Sequence, residues 1–124
     1  MHNDIKCDNV AIELASSGIK SILIDFGKAC LVSDAKRYDL SNEDKLKYAK
    51  QHPQLAPDLR DGRCKQSVYS DMYSFGRILR IINETSLHLP VLTNFSDVCT
   101  AYTGTSRPTA EEVLVFLSNL FTIE

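Results

Sequence analysis

Asp4, Lys6 and Asn9 place a carboxylate, a cation and a side-chain amide within six positions of the opening run Met1-His2-Asn3-Asp4-Ile5-Lys6-Cys7-Asp8-Asn9. A core strand does not tolerate that density of polar function, because each buried polar group must find a partner. A further acid, Asp25, follows the apolar run Ser21 to Ile24 and precedes Phe26-Gly27. Carboxylates can act as bases or hold a hard cation through oxygen, an amide oxygen can do the latter, and a lysine neutralises an anion. Phosphoryl transfer asks for these groups: an oriented nucleophile, shielded phosphate charge and magnesium held by oxygen ligands. Taken singly, Asp4, Asn9 and Asp25 read as turn or cap residues and Lys6 as a solvated surface cation.

Elements must bring these residues together. Val10 to Leu14 and Ser21 to Ile24 are short apolar runs separated by Ala15-Ser16-Ser17-Gly18, which predicts a β-hairpin. Lys28 to Gln54 is polar and has no sustained apolar period, as expected of an exposed, mobile segment; within it Ser41-Asn42-Glu43-Asp44 has capping-box spacing for a short turn of helix. Ser67 to Asn83 is the clearest helix. Val68, Met72, Phe75, Leu79 and Ile82 share one face, and Tyr69, Tyr73, Ile78 and Ile81 make the other faces apolar, so the helix is expected to be largely buried. Leu87 to Val91 reads as a loop, Leu92 to Tyr102 as a short helix broken by Gly104 and Ser106. Thr109 with Glu112 caps a final helix whose stripe is Val113, Phe116, Leu117 and Leu120. The fold class is mainly α with a short β-hairpin, in a single domain.

Composition narrows the function. A net charge of −2 offers no basic surface for nucleic acid or acidic lipid, and no apolar run approaches the length of a membrane span. The polar start excludes a cleavable signal. Cys7, Cys30, Cys64 and Cys99 form no Cys-x-x-Cys pair, so neither a zinc site nor a disulfide framework is indicated, and free thiols point to an intracellular compartment, cytoplasmic or nuclear. Asn83-Glu84-Thr85 and Asn94-Phe95-Ser96 match the glycosylation pattern by chance on this reading.

The run His2-Asn3-Asp4-Ile5-Lys6-Cys7-Asp8-Asn9 resembles the catalytic loop of protein kinases, His-Arg-Asp-Leu-x-x-x-Asn, and Asp25-Phe26-Gly27 resembles their magnesium-binding Asp-Phe-Gly. Ala56-Pro57-Asp58 stands where the family has Ala-Pro-Glu, Ser70-Asp71-Met72-Tyr73-Ser74-Phe75-Gly76 resembles the central helix of the C-lobe, and Arg107-Pro108-Thr109 resembles the opening of its last helix. The resemblance covers nearly the whole chain. It implies a kinase-like C-lobe spanning 1–124, from the catalytic loop to the last helix, with the N-lobe absent. It also implies transfer of phosphate from ATP, with magnesium, to a hydroxyl of a protein substrate. By the same resemblance Asp4 is the base that orients the hydroxyl, Lys6 neutralises the moving phosphoryl, and Asn9 and Asp25 hold magnesium. His2 is structural, Phe26 packs, and Gly27 lets the backbone turn. Asp71 binds the catalytic-loop backbone, and Asp58 and Arg107 form a buried ion pair.

Lys6 resembles the serine/threonine branch. Asn3 replaces the family's arginine, so a phosphate on Ser33, Tyr38, Ser41 or Tyr48 has no usual acceptor, and Gln51-His52-Pro53-Gln54-Leu55 lacks the threonine expected beside the base. The interval from Asp71 to Arg107 is short, which implies that a docking helix there is shortened or missing. The chain contains no glycine-rich loop and no strand lysine of the Val-Ala-Ile-Lys kind, so alone it supplies half an ATP site. The missing helix that packs on the central helix implies exposure of Val68, Met72 or their neighbours, to be covered by the absent N-lobe or a partner, or else aggregation or self-association. The rival readings are a catalytically inactive interaction module and a small-molecule phosphotransferase.

Overall fold

The computed structural model describes residues 1–122 and is mainly helical with one two-stranded antiparallel hairpin. Strands β1 (Val10–Ala15) and β2 (Gly18–Leu23) pair from Val10 with Leu23 to Ala15 with Gly18. Only Ser16 and Ser17 connect them. The turn is therefore tighter than the sequence suggested and β2 begins at Gly18 rather than Ser21, because Gly18 takes a φ of 119° that other residues rarely adopt. Beyond the ladder, Ile24 N–H donates to Asn9 C=O at 2.9 Å, so the residues flanking the open end of the hairpin stay side by side. Apolar side chains on the hairpin face outward, with Leu14 80% exposed.

Helix α1 (Asn42–Gln51) is longer than the short turn expected inside the polar segment. It starts where Ser41 Oγ accepts from Asp44 N–H, and it buries no residue fully. Helix α2 (Pro57–Arg60) is one turn, with proline at its first position. Helix α3 (Val68–Ile82) opens on a reciprocal capping box between Ser67 and Ser70. Its interior face is Ser70, Met72, Ser74, Gly76 and Leu79, whereas Val68 is 60% exposed.

The helix is largely buried, as expected, with only Val68, Ile81 and Ile82 exposed along it; of the residues expected at the surface Val68 is exposed and Met72 is not. Small residues on α3 let neighbours come close: Ser74 Oγ donates to Gln54 C=O at 2.7 Å, and a Cβ on Gly76 would lie 2.6 Å from Cys99 Cβ.

Cys99 ends helix α4 (Pro90–Cys99), which begins at Pro90 rather than Leu92 and stops before Tyr102, since proline suits the first turn of a helix, where its missing N–H costs nothing. This is the helix between α3 and the arginine at 107. Helix α5 (Ala110–Phe121) follows the Thr109 and Glu112 capping box. The core gathers Met72, Cys99 and Val113 with Phe75, Phe95 and Leu117 around them, and Phe95 stacks on Phe116 at 3.7 Å. The accessible surface is 8115 Å² for 13.9 kDa. A compact monomer of that mass exposes about 6,700 Å², so roughly 1,400 Å² of surface is in excess. Exposed apolar side chains are most frequent on the hairpin, at Ile12, Leu14, Ile19 and Ile22, with others spread over the helices.

Candidate functional site

Asp71, in the first turn of α3, anchors the opening run. Its Oδ2 accepts from His2 N–H at 2.7 Å and its Oδ1 from Asn3 N–H at 2.8 Å, so one carboxylate uses both oxygens on two successive backbone donors. Asn3 turns the chain through the left-handed region at φ 64°, which asparagine tolerates better than most residues. Its Nδ2 donates to Lys28 C=O at 3.0 Å, while its buried Oδ1 has no partner among the described residues. His2 bridges two segments: Nε2–H donates to Ile24 C=O at 3.0 Å, which leaves Nδ1 to accept from Asp4 N–H at 3.3 Å. That tautomer makes His2 a strut between the opening run and the strand leading to Asp25.

These contacts place Asp4 at the centre. The residue is 5% exposed. Its Oδ2 lies 3.2 Å from Lys28 Nζ and 3.6 Å from Lys6 Nζ, Asn9 Nδ2 donates to the same oxygen at 3.3 Å, and Gln54 Nε2 donates to Oδ1 at 3.1 Å. Burial pushes the Asp4 carboxyl up, but the hydrogen bonds from Lys28 and Gln54 and the charges of Lys28 and Lys6 outweigh it and hold the group below the usual carboxylate range. Asp4 is an anion at neutral pH. Oδ1 accepts from a single donor among the described residues, which leaves it a free lone pair.

Lys28 and Gln54 were not among the residues the sequence singled out. Gln54 stands in the segment where the resemblance expects a threonine beside the base, and its amide makes that contact instead. Lys28 carried no signal beyond its place after Gly27.

Asn9 and Asp25 flank the open end of the hairpin. Asn9 is buried and donates from Nδ2 to Asp4 C=O at 2.8 Å, which turns its Oδ1 away from any protein donor among the described residues. Asp25 is exposed and sits in the left-handed region at φ 61°, with Oδ1 accepting from Gly27 N–H at 3.2 Å. The left-handed residue of this turn is Asp25, and Gly27 keeps a negative φ. A Cβ on Gly27 would press on Asp25 Oδ1 at 3.2 Å. The Phe26 ring is 63% exposed and meets the His2 ring edge-on at 4.9 Å. Among the described residues no group of three or more His, Cys, Asp or Glu could hold a metal on its own. Two oxygen donors fit magnesium nonetheless, because that ion keeps several waters and is bound by one or two protein ligands together with substrate phosphates.

At the far side of α3, Asp58 and Arg107 make a buried pair, with Nη2 to Oδ1 at 2.7 Å and side-chain exposures of 8% and 1%. Asp58 also accepts from Leu59 and Gly104 N–H at 3.1 Å each, and Arg107 donates to the carbonyls of Tyr69, Ala101 and Tyr102 at 2.9, 2.8 and 2.8 Å. The short Asp58 reaches because α2 brings its backbone to the Gly104 turn. The site near Asp4 does not include this pair.

All four cysteines are free. No described helix is long and apolar enough to cross a membrane. Compared with family models, with curated proteins and with solved structures, the chain matches none of them.

Proposed function

We propose that this chain is the C-lobe of a protein kinase-like phosphotransferase of serine/threonine type. The observation that carries the reading is the buried, ionised Asp4, held between Lys6, Lys28, Asn9 and Gln54 at the end of the hairpin that also bears Asp25. Asp4 Oδ1 accepts the hydrogen bond of a protein hydroxyl and orients its oxygen. Lys6 Nζ, within reach of the same space, offsets charge on the transferred phosphoryl. Asn9 and Asp25 would hold magnesium, and ATP would supply the phosphoryl group. Since the sequence has no glycine-rich loop and no strand lysine, a second body must cover the nucleotide. The outward-facing apolar residues of the hairpin and the excess surface suit an N-lobe or partner that docks there.

One observation favours a second reading, a catalytically inactive interaction module: Lys28 and Gln54 already occupy Asp4 in this state. The two are separated by titrating the ¹⁵N-labelled chain with a non-hydrolysable ATP analogue in magnesium and in EDTA. Phosphotransfer predicts magnesium-dependent shifts at the amides of Asn9 and Asp25 that Asp25→Asn removes. Their absence would leave the interaction module as the better account.

A further inference from the structure

Beside Asp4 a cavity of about 420 Å³ opens between residues 5–8, residues 50–54 and one face of α3. Three cations line it, Lys6, Lys50 and Arg77, against one acid, Asp8. The balance is the reverse of the whole chain, whose net charge is −2. Lys6 leans on Asp4, but neither Lys50 nor Arg77 has an ion-pair or hydrogen-bond partner among the described residues. The floor is apolar, with Pro53, Ile78 and Ile81. Cations gathered over a low-dielectric floor focus a positive potential, which an anion from outside would relieve.

We infer that this cavity receives an acidic segment of the protein substrate, an apolar residue seated on the floor and a flanking Asp or Glu between Lys50 and Arg77. The inference rests on the phosphotransfer reading and specifies its substrate. Two lining residues connect the cavity to the reacting centre: Gln54 Nε2 is 3.1 Å from Asp4 Oδ1 and Lys6 Nζ is 3.6 Å from Oδ2. An extended chain advances about 3.3 Å per residue, so a segment lying in the cavity brings a hydroxyl a few residues away to Asp4. The apolar floor and the net negative charge of the chain separate this from a nucleic-acid surface, which would need a broad basic face.

The test needs no nucleotide. The full ¹⁵N-labelled chain is titrated with three serine peptides of equal length that share one leucine and carry Glu, Gln or Lys around it. The Glu peptide is expected to shift the amides of residues 6–8, 50–54 and 77–81, and to bind about tenfold more tightly than the Gln peptide. Lys50→Gln with Arg77→Gln should remove that preference. Lys50→Gln alone, on the exposed surface of α1, should reduce it severalfold and keeps the test sound if the double variant folds poorly. Equal binding of the three peptides, or shifts confined to other faces, would overturn the inference. Binding of the Glu peptide at the cavity together with no magnesium-nucleotide response would keep the acidic-segment site and refute its role in phosphotransfer. Nucleotide response without a Glu preference would do the opposite.

Discussion

Replacing Arg107 by alanine removes the one cation facing a carboxylate that the fold has almost wholly buried. In the native chain the guanidinium donates to Asp58 at 2.7 Å and to the carbonyls of Tyr69, Ala101 and Tyr102, and it lies 5.2 Å from the Tyr73 ring centroid. Alanine leaves Asp58 buried with the N–H groups of Leu59 and Gly104 as its hydrogen-bond donors, and it removes the guanidinium's bonds to three carbonyls. Breaking a buried pair from one side costs on the order of 3–5 kcal/mol, because the remaining charge is uncompensated. A domain of this size is stable by about 5–15 kcal/mol, so the loss takes a large share of the total. At about 3–5 °C per kcal/mol for a chain of this length, Tm should fall by roughly 10–20 °C. Urea unfolding followed by circular dichroism should show the same loss as a lower midpoint. Arg107→Lys keeps the charge but not the fork, and should fall between the two. A Tm for Arg107→Ala within about 2 °C of the native value would refute the reasoning, since no exposed pair this weak could tie α2 to the turn before α5.

Other predictions address the site and the core. Because Asp4 titrates below its ordinary value of 3.8, it binds its proton less readily folded than unfolded; its contribution to stability is complete above about pH 4 and is lost as pH falls through the folded value. Lys28→Met removes a hydrogen bond and a charge that lower the Asp4 pKa, so the side-chain carboxyl carbon of Asp4 followed by NMR should titrate at higher pH; an unchanged titration would mean that Lys28 does not hold the anion. Gly76→Ala should destabilise. Alanine gains about 1 kcal/mol of helix propensity at that position, but its Cβ meets Cys99 Cβ at 2.6 Å and the Cys99 carbonyl carbon at 3.2 Å, and backbone contacts do not yield cheaply. Overpacking of this kind costs about 1–3 kcal/mol, so a net loss near 1 kcal/mol in a urea titration is expected, and a gain would show that α3 and α4 are less closely packed than their geometry indicates.

What could be read from the sequence was local. The Ser67 and Thr109 caps, the apolar stripe of α5 and the pairing of two short apolar runs are interactions between residues near in the chain, and their periods survive folding. What escaped was set by distance and by size. Apolar periodicity groups Val68, Met72, Phe75 and Leu79 on one face of α3, yet the positions where other segments come close carry Ser74 and Gly76, because only small side chains admit the Gln54 carbonyl and the end of α4. Val68 lies at the surface, as the missing covering helix implied. In the site, Asp4, Lys6 and Asn9 were legible as a cluster from their spacing alone. Gln54 reaches Asp4 across 50 positions, and nothing in a single sequence marks a glutamine for that contact except the missing threonine at its segment. The same limit applies to the cavity beside Asp4. Lys6, Lys50 and Arg77 are ordinary solvated cations in sequence and become one positive concavity only when α1, α3 and the opening run meet. The substrate preference it implies is therefore a property of the folded chain, and the Glu, Gln and Lys peptides test it at the level where it arises.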